Sequence, residues 1–412
     1  MRLPGTRGFA LVGAHRNFRL LWIGQFTSGL GSSMTFLAVP LLAVAATGSA
    51  VQAGLLGTLS FLTTWLVAIP TGMLADRCEA RRLMLACDAV RLGAVAVLAA
   101  AAIAGSTPLW LLAAVVVVDG AAAMAFNPAA TKLLRAVVPD GALPEAVSAN
   151  QARGYAAGLA GPPLGGLLFH AGRSLPFLAD VASYLVSLWC VWRLPAGPAP
   201  EPTGGRRSLL SGVGTGFAVL WRTPFLRATA GYSVGANVAV SMLLFVLLLR
   251  PGAAVGPATT GVVLSLATVG GLLGSLCAPA AHRRLGLRPL LLVVALSRLV
   301  VASVAAFLGG PVWLGAALFL VLFLGPVAGA AITTTQLRVV PDGVYGRTSG
   351  TMSFLSGTLQ PLAPFAAGAL IQLSGPGAAL VPVAVLFGLG AVTVALARGL
   401  AVAPAGVPAP VA

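Results

Sequence analysis

The chain has 412 residues, 58% of them hydrophobic and only 8% charged, with a formal net charge of +16. A soluble globule carries roughly 25% charged residues, so this composition excludes a water-facing domain. Membrane topology accounts for the positive excess, and no nucleic-acid partner is expected.

Several apolar stretches exceed the roughly 18 residues that suggest a membrane span. They are continuously apolar and lack the alternation of a membrane barrel, so they must satisfy their backbone as helices. A basic segment over 1–17 precedes the first span, which is too long for a signal-peptide core. Spans are expected near 18–46, 51–75, 82–105, 108–131, 146–170 and 174–193. After a linker over 194–223 they resume near 224–250, 257–281, 289–309, 311–335, 346–373 and 377–399. The linker begins LPAGPAPEPTGGRR, flexible and basic, and then offers apolar residues at helical spacing that suit a short surface helix. The tail over 400–412 reads as disordered. Lys and Arg gather at one end of the spans, which places that end and both termini in the cytoplasm of a multi-pass cell-membrane protein.

Val137–Gly141 reads VVPDG, and so does Val339–Gly343, 202 residues later. Each copy follows the fourth span of its half. At the same shift, GPPLGGLL (161–168) falls opposite APFAAGAL (363–370). DRCEARR (76–82) falls opposite HRRLGLR (282–288), which pairs Arg82 with Arg288 and sets Arg298 near the match of Arg91. The expected architecture is an all-α membrane protein of twelve transmembrane helices in two pseudo-symmetric six-helix bundles, 18–193 and 224–399. Such repeats mark transporter folds.

GMLADRCEARRL (72–83) resembles the signature between spans two and three of the major facilitator superfamily. AGLAGPPLGG (157–166) resembles the span-five signature of that superfamily's bacterial drug and siderophore exporters. The family's glycine after Asp-Arg is replaced here by Glu79-Ala80. The resemblance implies a cytoplasmic gate built on Gly72, Asp76, Arg77, Arg81 and Arg82, with Asp76 meeting the start of span eleven near Gly346 and Arg347. Asp88 and Arg91, three apart in span three, can pair on one helix face near that gate. In the exporter motif, Gly158, Gly161, Gly165 and Gly166 allow close helix packing, and Pro162 and Pro163 free backbone groups.

Asp119 interrupts the apolar run of span four, ten residues from Leu109 and so about 15 Å deep. That is near the midplane of a roughly 30 Å core. An ionised carboxylate there is costly and calls for a proton or a cation partner. Asp119 is therefore the leading proton-coupling candidate. Asp180, near the outer end of span six and expected to be partly accessible, is the second. The superfamily often has an acid after Leu-Gly in span one, where this chain has Ser32, and Val115–Val118 fill the place of the arginine many proton antiporters carry in span four. Gln25, Ser28, Ser32, Asn127 and Asn237 are candidate contacts of a substrate cavity.

No zinc motif, nucleophile–histidine pair or nucleotide loop appears. No enzyme activity, cofactor or metal is expected. The resemblance implies a secondary transporter working by alternating access, with protons, the bilayer and a small molecule as partners and a monomer as the working unit. Proton-coupled efflux of an amphiphilic drug, antibiotic or siderophore is the expected function. Import or facilitation of a small polar solute is the alternative, and a non-transporting receptor comes after it.

Overall fold

The computed structural model describes residues 11–139, 142–196, 217–249, 256–308, 310–340, 342–397 and 400. Most of the 194–223 linker and the tail from 401 lie outside them, as do the surroundings of Gly72 and Gly346 and the side chains of Asp76, Asp342 and Arg347. Among the described residues, helices α1 (Arg16–Thr47), α2 (Ala50–Arg77), α3 (Ala80–Ile103), α4 (Leu109–Val137), α5 (Leu143–Ala171) and α6 (Leu175–Trp192) come first. Then follow α7 (Pro224–Leu249), α8 (Pro257–Arg284), α9 (Leu287–Leu308) and α10 (Gly310–Val339). The last are α11 (Asp342–Gly357), α12 (Leu362–Ala378) and α13 (Val381–Leu396).

Among the described residues, ten helical stretches are long and apolar enough to cross a membrane, with α11 and α12 contributing one between them. Two more helices complete the twelve spans. One is α5, whose first half carries Glu145, Asn150, Gln151 and Arg153, and the other is α13, only 16 residues long. Large apolar side chains lie bare on the outer faces, among them Trp110, Phe307 and Leu373. In water this would be a fault; in a bilayer it is the solvated surface.

Local chemistry sets the joints. Between α1 and α2 the chain reads Thr-Gly-Ser. Gly48 takes the left-handed conformation (φ 65°) and donates its N–H to Val44, while the Ser49 hydroxyl accepts from Gln52 N–H at 3.3 Å. Span eleven, expected as continuous, is broken. Pro361 has no N–H to offer Gly357, and the chain crosses 357–362 on i→i−3 bonds, Gln360 N–H to Gly357 O at 3.2 Å and Leu362 N–H to Leu359 O at 3.1 Å.

The chain forms two compact units, Met1–Gly204 with Leu248–Thr268, and Gly205–Leu247 with Val269–Ala412. The core of the first is built on Phe18, Leu21, Met84, Leu133 and Val191. The core of the second is built on Leu226, Leu291, Val294, Ala331 and Val394. Close approach in the first unit depends on small residues, as it must where lipid removes the hydrophobic drive between helices. A Cβ on Gly24 would stand 3.0 Å from that of Cys190, and one on Gly31 would collide with Asp180 and Ser183, so α1 and α6 touch almost backbone to backbone.

Candidate functional site: a buried ion pair beside a polar cavity

Helices α3 and α4 run antiparallel. Arg91 lies eleven residues into α3 and Asp119 ten residues into α4, which sets both near mid-depth. They form a two-point ion pair, with Arg91 Nε donating to Asp119 Oδ1 at 2.9 Å and Nη2 to Oδ2 at 3.3 Å. Arg91 Nη2 also donates to the Ser32 hydroxyl at 3.0 Å. The Tyr184 hydroxyl donates to Asp119 Oδ1 at 3.2 Å and lies 3.1 Å from Ser32 Oγ. Its ring carries the guanidinium on its face, 4.8 Å from the centroid. Four helices thus hold one pair of opposite charges, and the acid is the more open partner: 25% of its side chain is accessible against 9% for Arg91.

The cation expected for Asp119 therefore comes from span three, and Arg91 turns to Asp119 rather than to Asp88. Asp88 is fully buried and accepts from Ser187 Oγ at 2.6 Å, with its Oδ1 unpartnered. Asp180, expected to be partly accessible, is 0% exposed. It is clasped by Thr35 Oγ1 at 2.6 Å and Ser183 Oγ at 3.0 Å, in the space Gly31 leaves open. Tyr184, Ser183 and Ser187 were not foreseen. With Asp180 they recur at helical spacing along α6, a polar face in a helix that otherwise reads as apolar.

Beside the ion pair lies a cavity of about 270 Å³. Four of the five expected cavity residues line it, Gln25, Ser28, Ser32 and Asn127, and Arg91, Phe126 and Arg153 share its wall. Asn237 does something else. In the second unit its side chain donates to Ser356 O at 3.1 Å, tying α7 to α11.

The second unit repeats the arginine but not the acid. Arg298, eleven residues into α9, donates to Val321 O at 3.0 Å and to the Tyr232 hydroxyl at 3.4 Å, and its guanidinium lies 5.8 Å from the Phe387 centroid. A backbone carbonyl stands where the first unit has a carboxylate. Arg91 and Arg298 are both buried core residues.

Arg81, in the expected gate, donates to Val191 O at 3.2 Å and Trp192 O at 2.5 Å, a cation on the C-terminus of α6. Arg288 makes the matching bond to Ala395 O at the end of α13. The contacts thus match Arg288 with Arg81, one residue away from the alignment with Arg82. Arg82, highly exposed, pairs with Glu79 at 2.8 Å, and Arg77 is exposed.

The exporter motif packs α5 on two sides. Cβ atoms at Gly161 and Gly165 would run into Ser33 and Met34 of α1. One at Gly166 would strike Pro257 at the start of α8, while Gly158 has room, its nearest neighbour Thr268 Cγ2 at 3.7 Å. Pro163 cannot donate to Leu159 O, and the hydroxyl of Ser265 in α8 supplies that bond instead at 2.6 Å.

The sequence profile of the Major Facilitator Superfamily matches residues 21–364. A relative called multidrug efflux pump Tap, from Mycolicibacterium fortuitum, is 27% identical over 396 residues, covering 92% of this chain and 95% of its own. The protein of the same name from Mycobacterium tuberculosis (strain ATCC 25618 / H37Rv) is 26% identical over 406 residues, covering 93% and 95%. Among solved structures, the nucleoside transporter NupG superposes with a TM-score of 0.72 at 13% identity, covering 93% of this chain and 98% of its own. A bacterial homologue of the iron transporter ferroportin in its inward-facing state does so with a TM-score of 0.71 at 17% identity, covering 92% and 98%. With a profile match over most of its length, an all-helical membrane fold and transporter folds as structural neighbours, the chain belongs to the Major Facilitator Superfamily and is a multi-pass membrane transporter of small molecules, not an enzyme.

Proposed function

We propose that the protein exports small amphiphilic compounds in exchange for protons, with Asp119 as the proton carrier. The observation that carries this reading is the Arg91–Asp119 pair on the edge of a polar cavity. An intramembrane charge pair is expensive to keep and marks an ion or proton pathway by default. Here the acid is the less buried member, with 25% of its side chain accessible against 9% for Arg91. A proton arriving on Asp119 discharges the carboxylate and loosens its two-point hold on the guanidinium. Arg91 keeps its contacts to Ser32 and the Tyr184 ring, so protonation changes the pairing of a fixed cation without moving it from the wall. Direction is supported by the relatives that bear the name multidrug efflux pump. The positive excess at one end of the spans supports a cell-membrane protein with both termini in the cytoplasm.

The test is Asp119→Asn in reconstituted vesicles. Adding a transported compound should release protons from the native protein and none from the variant, while the compound still binds. Proton release of native size from the variant removes Asp119 from the mechanism.

A further inference from the structure

The cavity beside the ion pair has a chemical bias, and we propose that it binds an oxygen-acceptor group of the transported compound, a carbonyl, carboxylate or phenolate, held by Gln25 Nε2 and the Arg153 guanidinium. This rests on the export reading and names what the same site would prefer. Three observations carry it. Gln25 is only 6% exposed, and its Nε2 is buried in the cavity wall without a hydrogen-bond partner among the described residues. The Nε of Arg153, across α5, is buried and unpartnered in the same way. A buried donor left unmade costs about 1–3 kcal/mol, and more when it is charged. Two such donors on one wall describe a site that lacks its acceptor.

The charge balance agrees. Arg91 is neutralised by Asp119, whereas no described carboxylate pairs with Arg153. No acid lines the cavity, so a cationic head would meet an uncompensated guanidinium and an amide N–H, while an oxygen acceptor would satisfy both. Gly154 and Ala157 keep the α5 side of the wall low next to Arg153, and Phe126 supplies an apolar face. At about 270 Å³ the space falls below the roughly 300–1,000 Å³ of pockets that enclose a drug-sized ligand. It suits the polar end of an amphiphile and leaves the apolar body outside.

The experiment uses two dyes on one xanthene core, anionic fluorescein and cationic tetramethylrhodamine methyl ester. Binding to the full-length protein in lipid nanodiscs is read by fluorescence polarisation. Fluorescein should bind the native protein more tightly than the cation. Gln25→Leu and Arg153→Met should each weaken it by about tenfold, and Arg153→Lys by only about threefold. The cation's affinity should be unchanged or higher in Arg153→Met. Thermal unfolding of each variant separates lost binding from lost folding. Unchanged fluorescein affinity in folded Gln25→Leu and Arg153→Met proteins would mean that water alone satisfies these donors, and would overturn the proposal. So would tighter binding of the cation, or no binding of either dye. Proton release driven by a cationic compound, with fluorescein ignored, would sink the acceptor site and leave the export reading standing.

Discussion

Arg91 forms a two-point ion pair with Asp119, rests on the Tyr184 ring and bonds to Ser32. Removing one member of a buried pair leaves the other charge uncompensated, at about 3–5 kcal/mol, whereas replacing both with apolar groups costs far less. Arg91→Met and Asp119→Leu should therefore each lower thermal stability sharply, and the double variant should be more stable than either. A double-mutant cycle showing simple additivity would mean that the two side chains do not stabilise one another. The depth of Asp119 was legible in its sequence position, and its partner was legible in principle. Arg91, counted from the cytoplasmic end of one helix, and Asp119, counted from the outer end of the next, reach the same level. The nearer neighbour, Asp88, three residues from Arg91, drew the arginine to the wrong partner because spacing along one helix reports only that helix. Tyr184 was invisible for a related reason: a tyrosine in an apolar span shows its hydroxyl's role only when the helices facing it are known.

At the scale of helices, α5 shows how a proline pair is made safe in lipid. Pro163 strips Leu159 O of its usual donor and Ser265 restores the bond from α8. Ser265→Ala should leave that carbonyl bare and cost about 1–3 kcal/mol, read as a lower unfolding temperature, whereas Ser265→Thr, which keeps the hydroxyl, should recover most of the lost stability. Gly165→Val has a different fault, since its side chain would enter the backbone of Met34. It should reduce the yield of folded protein more than Gly154→Val, whose Cβ position meets nothing within 4 Å. Most helix ends fall within a few residues of where hydrophobicity placed them, because a bilayer enforces length. The break between α11 and α12 was missed. Prolines inside α1, α2, α4 and α10 leave those helices continuous, so proline alone does not announce a break. At 357–362 the chain instead closes on itself with i→i−3 bonds, Gln360 N–H to Gly357 O and Leu362 N–H to Leu359 O.

At the scale of the whole molecule, two units share a plan and differ in charge. Arg81 and Arg91 stand ten apart in α3, as do Arg288 and Arg298 in α9, and each pair divides the same work: one caps the sixth helix of its half, the other crosses the core. The repeat was visible in VVPDG, but its register near the arginines was off by one, since short basic clusters align almost equally well at neighbouring shifts. Beyond Glu201 the sequence has one acid, Asp342, so Arg298 has no carboxylate at its depth. Arg298→Met should destabilise the second unit while the number of protons exchanged per compound stays as in the native protein. A changed ratio would show that the second arginine takes part in coupling.

On the reading proposed above, with Asp119 carrying one proton per cycle, the exchange has a definite energetic scale. Exchange of one inward proton for one uncharged molecule moves one elementary charge per cycle, worth about 2.3 kcal/mol for each 100 mV across the bilayer. That work sustains a concentration ratio of roughly fifty to one per 100 mV. In that one-proton exchange a pH gradient adds to the voltage, and each unit of pH difference raises the sustained ratio about another tenfold.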